Sequence, residues 1–191
     1  MGYNLSMEKK ILAGGISGGI ADPDSERAIR HAETFYEGLR HRNDDVAKIA
    51  ANTGYSEGQI RLIKNYLFIF PQILDEKTGE MKRFDECFEI ADSWGRLERG
   101  NPEPHDYLLL QHELHEIGLV RDGIPQDKAH DMTNEVFNYQ AACNRFYEQR
   151  QKDLEEKQRK HLKNNNSKET KKINAGAVIK QIPKENNRGD I

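Results

Sequence analysis

The stretch "HDYLLLQHELHEIGL", residues 105–119, decides how this chain folds. It sets three histidines and three acidic residues among five leucines and an isoleucine. On a wheel turning about 100° per residue, Tyr107, Leu110, Leu114 and Ile117 share one face. The other side carries His105, Leu108, His112, Glu116 and Leu119, with Leu109 and Val120 nearby. A helix that is apolar on two sides belongs inside a bundle. The pattern therefore predicts an all-α domain, with about five or six helices packed around this one and disordered ends. His112 and Glu116 stand at i and i+4, one turn apart. Polar groups cost free energy when buried alone, so the pair predicts either a partner or contact with solvent.

Outward from this helix, "DPDSERAIRHAETFYEGLRHR" reads as a helix capped by Asp24 or Ser25, with Ala28, Ala32, Phe35, Tyr36 and Leu39 on one face. "DDVAKIAANTGYSEGQIRLIKNYLFIF" reads as two helices joined at Gly54, the second capped by Ser56. "PQILDEKTGEMKRF" is a connection with a hairpin turn at "KTGE", and "DECFEIADSWGRLERG" is an amphipathic helix ending before Pro102. Beyond residue 119, the sequence predicts a loop and one long helix that turns fully polar near residue 150. The expected organisation is a glycine-rich N-terminus over 1–23, a helical domain over 24–150 and a polar, mostly disordered tail over 151–191.

Charge follows the same division. Of 29 Lys/Arg and 32 Asp/Glu in 191 residues, residues 157–191 hold ten basic and three acidic groups, a net of +7. The remaining 156 residues carry 19 basic and 29 acidic groups, a net of −10. An acidic body bears a basic tail. Two distant cysteines, Cys87 and Cys143, are too few for a disulfide framework or a cysteine metal site, and read as packed, reduced thiols. No apolar run approaches the roughly 18 residues of a membrane span. The N-terminal stretch is too glycine-rich for a secretion signal, so a cytoplasmic location is expected.

The spacing of His112 and Glu116 is open to several chemistries. The pair could hold a divalent metal, with His130 or His105 as a further ligand. It could be a histidine oriented by a carboxylate for acid–base work, or Glu113 could be the base. "HELHE" approaches the zinc-protease motif His-Glu-x-x-His but has Glu116 where the second histidine belongs, and His115 comes one residue early. The bland alternative is a His–Glu pair that only bridges helices. His130 reads as a residue near a helix start, and His31 as part of a solvated face.

The hairpin "VAKIAANTGYSEGQIRLIKNYL" has helix-turn-helix spacing. Its second helix offers Ser56, Gln59, Arg61 and Lys64 as candidates for nucleic-acid contact. The acidic body opposes phosphate binding unless the tail compensates.

Taken together, "DPDSERAIRHAETFYEGLR", "VAKIAANTGYSEGQIRLIKNYLF", "FDECFEIADSWGRLERG", "PHDYLLLQHELHE" and "AHDMTNEVFNY" resemble a group of small helical, toxin-like domains. Such domains are found at the C-terminal end of phage minor head (head-morphogenesis) proteins of Gram-positive bacteria. The resemblance covers roughly residues 13–140 and none of the tail. It implies a hydrolase, above all a nuclease, whose candidate residues are His31, Glu37, Arg40, Ser93, His105, Asp106, His112, Glu113, Glu116 and His130. His or Glu would move a proton and Arg would stabilise charge on phosphate. The partners it implies are nucleic acid, a cognate immunity protein or a phage structural protein. The alternatives are a non-enzymatic helix-turn-helix module that binds nucleic acid or protein, and a structural phage accessory protein.

Overall fold

The computed structural model describes residues 22–75 and 77–179, with side chains as far as residue 165. Its fold is all-α. Helix α1 spans Glu26–Arg40, opened by the Ser25 hydroxyl, which accepts from the Ala28 amide, and buries Ala28, Ala32, Tyr36 and Leu39. Helix α2, Asp44–Thr53, buries Val46 and Ile49 and ends at Gly54, whose φ of 80° is open to glycine at little cost. Helix α3, Glu57–Lys64, starts with a reciprocal capping box between Ser56 and Gln59. The helix-turn-helix spacing is thus realised as α2–turn–α3.

At Asn65 the helix widens into a π turn, Asn65–Ile69, closed by a bond from the Phe70 amide to the Asn65 carbonyl. The strands β1, Ile73–Leu74, and β2, Met81–Lys82, then form a small antiparallel hairpin. Helix α4, Phe88–Arg99, buries Phe88, Ala91, Trp94 and Leu97 and stops at Gly100. Helix α5, Pro104–Arg121, is the histidine helix. It touches α3 and α4, and also helix α6, Gln126–Val136. Its central position matches the two-sided apolar pattern, but the burial is unexpected in kind. His105, Asp106, His112, Glu113 and Glu116 are buried with Leu109, Leu110 and Ile117, whereas Leu108, Leu114 and Leu119 are only half-buried.

The long final helix expected from the sequence is two helices, α6 and α7, Tyr139–Ile179, separated at Phe137 and Asn138. This split brings the described α-helices to seven, where five or six were expected. At the break the Asn138 side-chain oxygen accepts from the Ala141 amide at 2.8 Å and caps α7, while the Phe137 carbonyl accepts from the Tyr139 amide at 2.9 Å and lies 2.7 Å from His112 Nδ1. The chain to Glu148 forms one compact unit, and the chain from Gln149 onward a second. The part of the polar tail that is described, residues 151–179, continues α7. The glycine-rich residues 1–21 and residues 180–191 lie outside the described residues. Among those described, no helix is long and apolar enough to cross a membrane. Cys87 and Cys143 are both free cysteines, pushed up to about 12 by burial, which favours the thiol over the thiolate.

Candidate metal centre

One turn of α5 presents His112 and Glu116 to the start of α6, which returns His130. The His112 Nε2, Glu116 Oε2 and His130 Nδ1 atoms all lie within 4.8 Å of one another. Their separations are 3.3 Å from His112 to Glu116, 2.8 Å from His130 to Glu116 and 3.4 Å between the two rings. Two ligand atoms each ~2.1 Å from a tetrahedral zinc ion stand about 3.4 Å apart. Two edges of the triangle already have that length. The third, shortened by a hydrogen bond, would open by about half an ångström. The donor set of two imidazoles and a carboxylate is one that catalytic zinc sites use.

The surroundings fix each donor. His112 Nδ1 lies 2.7 Å from the Phe137 carbonyl at the break between α6 and α7. A carbonyl only accepts, so Nδ1 carries the proton and Nε2 is turned toward Glu116. Such outer partners orient metal-binding histidines. The carboxylate of Glu116 divides its oxygens: Oε2 faces the two histidines, while Oε1 accepts from the Tyr66 hydroxyl at 2.7 Å and the Gln126 amide at 3.2 Å. Burial alone would raise the Glu116 carboxyl, but hydrogen bonds from His112, Tyr66, His130 and Gln126 outweigh it and bring it down to about 2. His112 is lowered by burial yet ends raised, because its bonds with Glu116 and Phe137 favour the charged ring.

Glu113 sits beside these donors and is built differently. It is 5% exposed, makes no hydrogen bond among the described residues, and lines a cleft of about 330 Å³ with Glu116, Gln126 and His130. Burial, and then the negative charge of Glu116, push its carboxyl up to about 8. Two carboxylates three residues apart are thus driven in opposite directions, the pattern that separates acid–base roles. The departure of "HELHE" from the zinc-protease motif leaves the donor set whole, because a carboxylate ligates as an imidazole does and His130 supplies the second ring. His115 points to α6, where its Nδ1 lies 2.8 Å from the Thr133 hydroxyl.

The other candidates lie apart from this cluster. His105 contacts Arg96 Nη2 at 2.7 Å and the ring of Phe146. Arg96 is buried and binds Asp106 with two nitrogens, at 2.7 and 2.6 Å, as well as Asp92 and the Ser93 hydroxyl. Ser93, His105 and Asp106 therefore belong to a buried ionic network joining α4 to α5. His31 is half-buried rather than on a solvated face, stacking on Phe35 and meeting the edge of Phe88. Burial is the first cause that lowers it. Arg40 donates to the Phe68 carbonyl and pairs with Glu37 at 2.9 Å and Glu86 at 3.0 Å.

On the helix-turn-helix, Lys64 is turned into the core, paired with Asp45 at 2.7 Å, and Trp94 donates to the other Asp45 oxygen. Its place beside Ile60 and Ile63 on the inner face removes it from any nucleic acid. The Ser56 hydroxyl and the Gln59 side-chain oxygen are engaged in the capping box, and Arg61 faces Glu57 at 3.7 Å. Two residues of the site carried no sequence signal as such. Tyr66 had the spacing of a core residue, and Gln126 stood in a loop. No family model matches the chain, and neither does any curated protein or solved structure.

Proposed function

We propose that the chain is a metal-assisted hydrolase of the toxin-like kind its sequence resembles. One observation carries the reading: His112, Glu116 and His130 converge with metal-ligand spacing beside Glu113, a buried carboxyl that lines the same cleft as Glu116 and His130. A divalent ion held there would supply a Lewis acid and an activated water. The chain's own residues do the rest. Phe137 holds His112 in the ligating tautomer, Tyr66 and Gln126 hold Glu116, and Glu113, which keeps its proton up to about 8, would give that proton to a leaving group and take one from water when ionised. The helix-turn-helix reading draws less support, because Lys64 is buried and the Ser56 hydroxyl and Gln59 side-chain oxygen are engaged as a cap.

Zinc titration with growth measured on induction tests the reading. The expected result is one zinc ion per chain for the native protein and for Glu113→Gln, with affinity lost in His130→Ala. Growth arrest is expected from the native protein alone. A folded native chain that takes up no divalent ion would overturn the proposal.

A further inference from the structure

We infer that the cleft beside Glu113 receives an extended peptide presenting an apolar side chain, and not a nucleic acid. This rests on the hydrolase reading and names its substrate class. The cleft volume, about 330 Å³, is at the small end of the range for ligand sites, so one or two side chains fill it. Its walls are Tyr36, Leu67, Ile73, Phe84 and Ile90, apolar surface that a peptide side chain can bury. The carboxylic residues on the same walls are Asp85, Glu113 and Glu116, and among the described residues neither Lys nor Arg lines it.

A nucleic acid brings a negative charge with every nucleotide, and sites that bind one answer with cations. The neighbouring hollow, which shares Phe84 and Asp85 with the cleft, does hold Arg40, Lys82 and Arg83. Arg40 is already committed to Glu37 and Glu86, Lys82 lies 3.3 Å from Asp85, and Arg83 is exposed on the rim of that hollow, outside the cleft itself. Residues 1–156 as a whole carry a net charge of −10. Charge therefore favours a neutral or cationic substrate.

The hairpin adds a backbone argument. Among the described residues its sheet has two strands, so β1, whose Ile73 lines the cleft, pairs there on one side alone. An unpaired strand edge beside a cleft is matched by an extended peptide, whose main chain can add as a further strand while a side chain enters the pocket.

The test uses the zinc-loaded full chain with three probes: leucine hydroxamate, aspartate hydroxamate and a 12-nucleotide single-stranded RNA. Leucine hydroxamate is expected to bind at least about tenfold tighter than aspartate hydroxamate, the return on burying one apolar side chain. The RNA is expected not to displace it at 150 mM salt. Ile90→Asp should erase the preference, and Ile73→Asp, on the hairpin, gives a second variant if the first does not fold. Equal binding of the two hydroxamates, or displacement by RNA, overturns the inference while zinc uptake keeps the hydrolase reading standing. Failure to take up zinc removes both.

Discussion

The Tyr66 hydroxyl donates to Glu116 Oε1 at 2.7 Å, and the opposite oxygen of that carboxylate faces His112 and His130. One phenol thereby sets which edge of Glu116 is offered to the two rings. Tyr66→Phe keeps the ring and its packing on Phe84 but removes that donor. A hydrogen bond to a charged group contributes about 1.5–3 kcal/mol, and outer partners of this kind change metal affinity by about 10–100-fold. The expected outcome is a variant that is folded, less stable by roughly that energy, and weaker for zinc, measured by chemical denaturation and by competition with a chelating dye.

Metal should act on stability as well as on chemistry. At a free zinc concentration of about 100 times the dissociation constant, the native state gains about 2.7 kcal/mol. The melting temperature should rise with zinc and return with chelator. His130 is half-exposed, with 48% of its side chain accessible, but bonds Glu116 at 2.8 Å, so His130→Ala should melt somewhat below the native chain without metal and ignore added zinc. Scanning calorimetry of both proteins checks this.

Glu113 predicts a pH dependence of the metal-free chain. Its folded carboxyl is raised to about 8 from 4.5, first by burial and then by Glu116. The folded state therefore binds this proton more tightly than the unfolded state does. The stability it contributes is complete below the unfolded value of 4.5 and is lost as pH rises through about 8. His112, also raised, acts in the same direction, so the comparison is with Glu113→Gln. Urea denaturation between pH 5 and 8.5 should show stability falling with pH in the native chain and falling less in the variant. Parallel profiles would assign the slope to other groups.

The Arg96 network should behave as a support of the fold and not of the site. Arg96 is 1% exposed and Asp106 fully buried. Removing one member strands the others, at a cost of about 3–5 kcal/mol. Asp106→Asn should therefore destabilise strongly, and whatever fraction remains folded should bind zinc with native affinity. A loss of affinity in the folded fraction would tie the network to the metal centre.

Local features were legible in the sequence because they arise from neighbours in the chain. Ser25 and Ser56 cap helices, Gly54 and Gly100 end them with positive φ, and the two-sided pattern of residues 105–120 marks the central helix. His112, Glu113 and Glu116 could be named for the same reason, being one turn of one helix. Residues brought together by packing could not be sorted. His31, Arg40 and His105 were chemically as suitable as His130, and only the arrangement of α1, α4, α5 and α6 separates them into different clusters. The break at Phe137 was hidden because the apolar spacing of Val136, Phe137 and Tyr139 runs across it. What ends α6 there is followed by a tertiary contact with His112, which no local propensity encodes.

The π turn Asn65–Ile69 gives the helix one residue more than an α-helical turn would hold. Tyr66, which reaches Glu116, and Leu67, which lines the cleft, both belong to it. Removing a single residue from this turn would restore ordinary helical phase and rotate every following side chain by about 100°. Ile60 and Ile63, upstream, would keep their places in the core. Phe68, fully buried against Tyr36 and Trp94, belongs to the same turn and would leave its place with Tyr66, so this one surplus residue sets the core and the metal centre in register together.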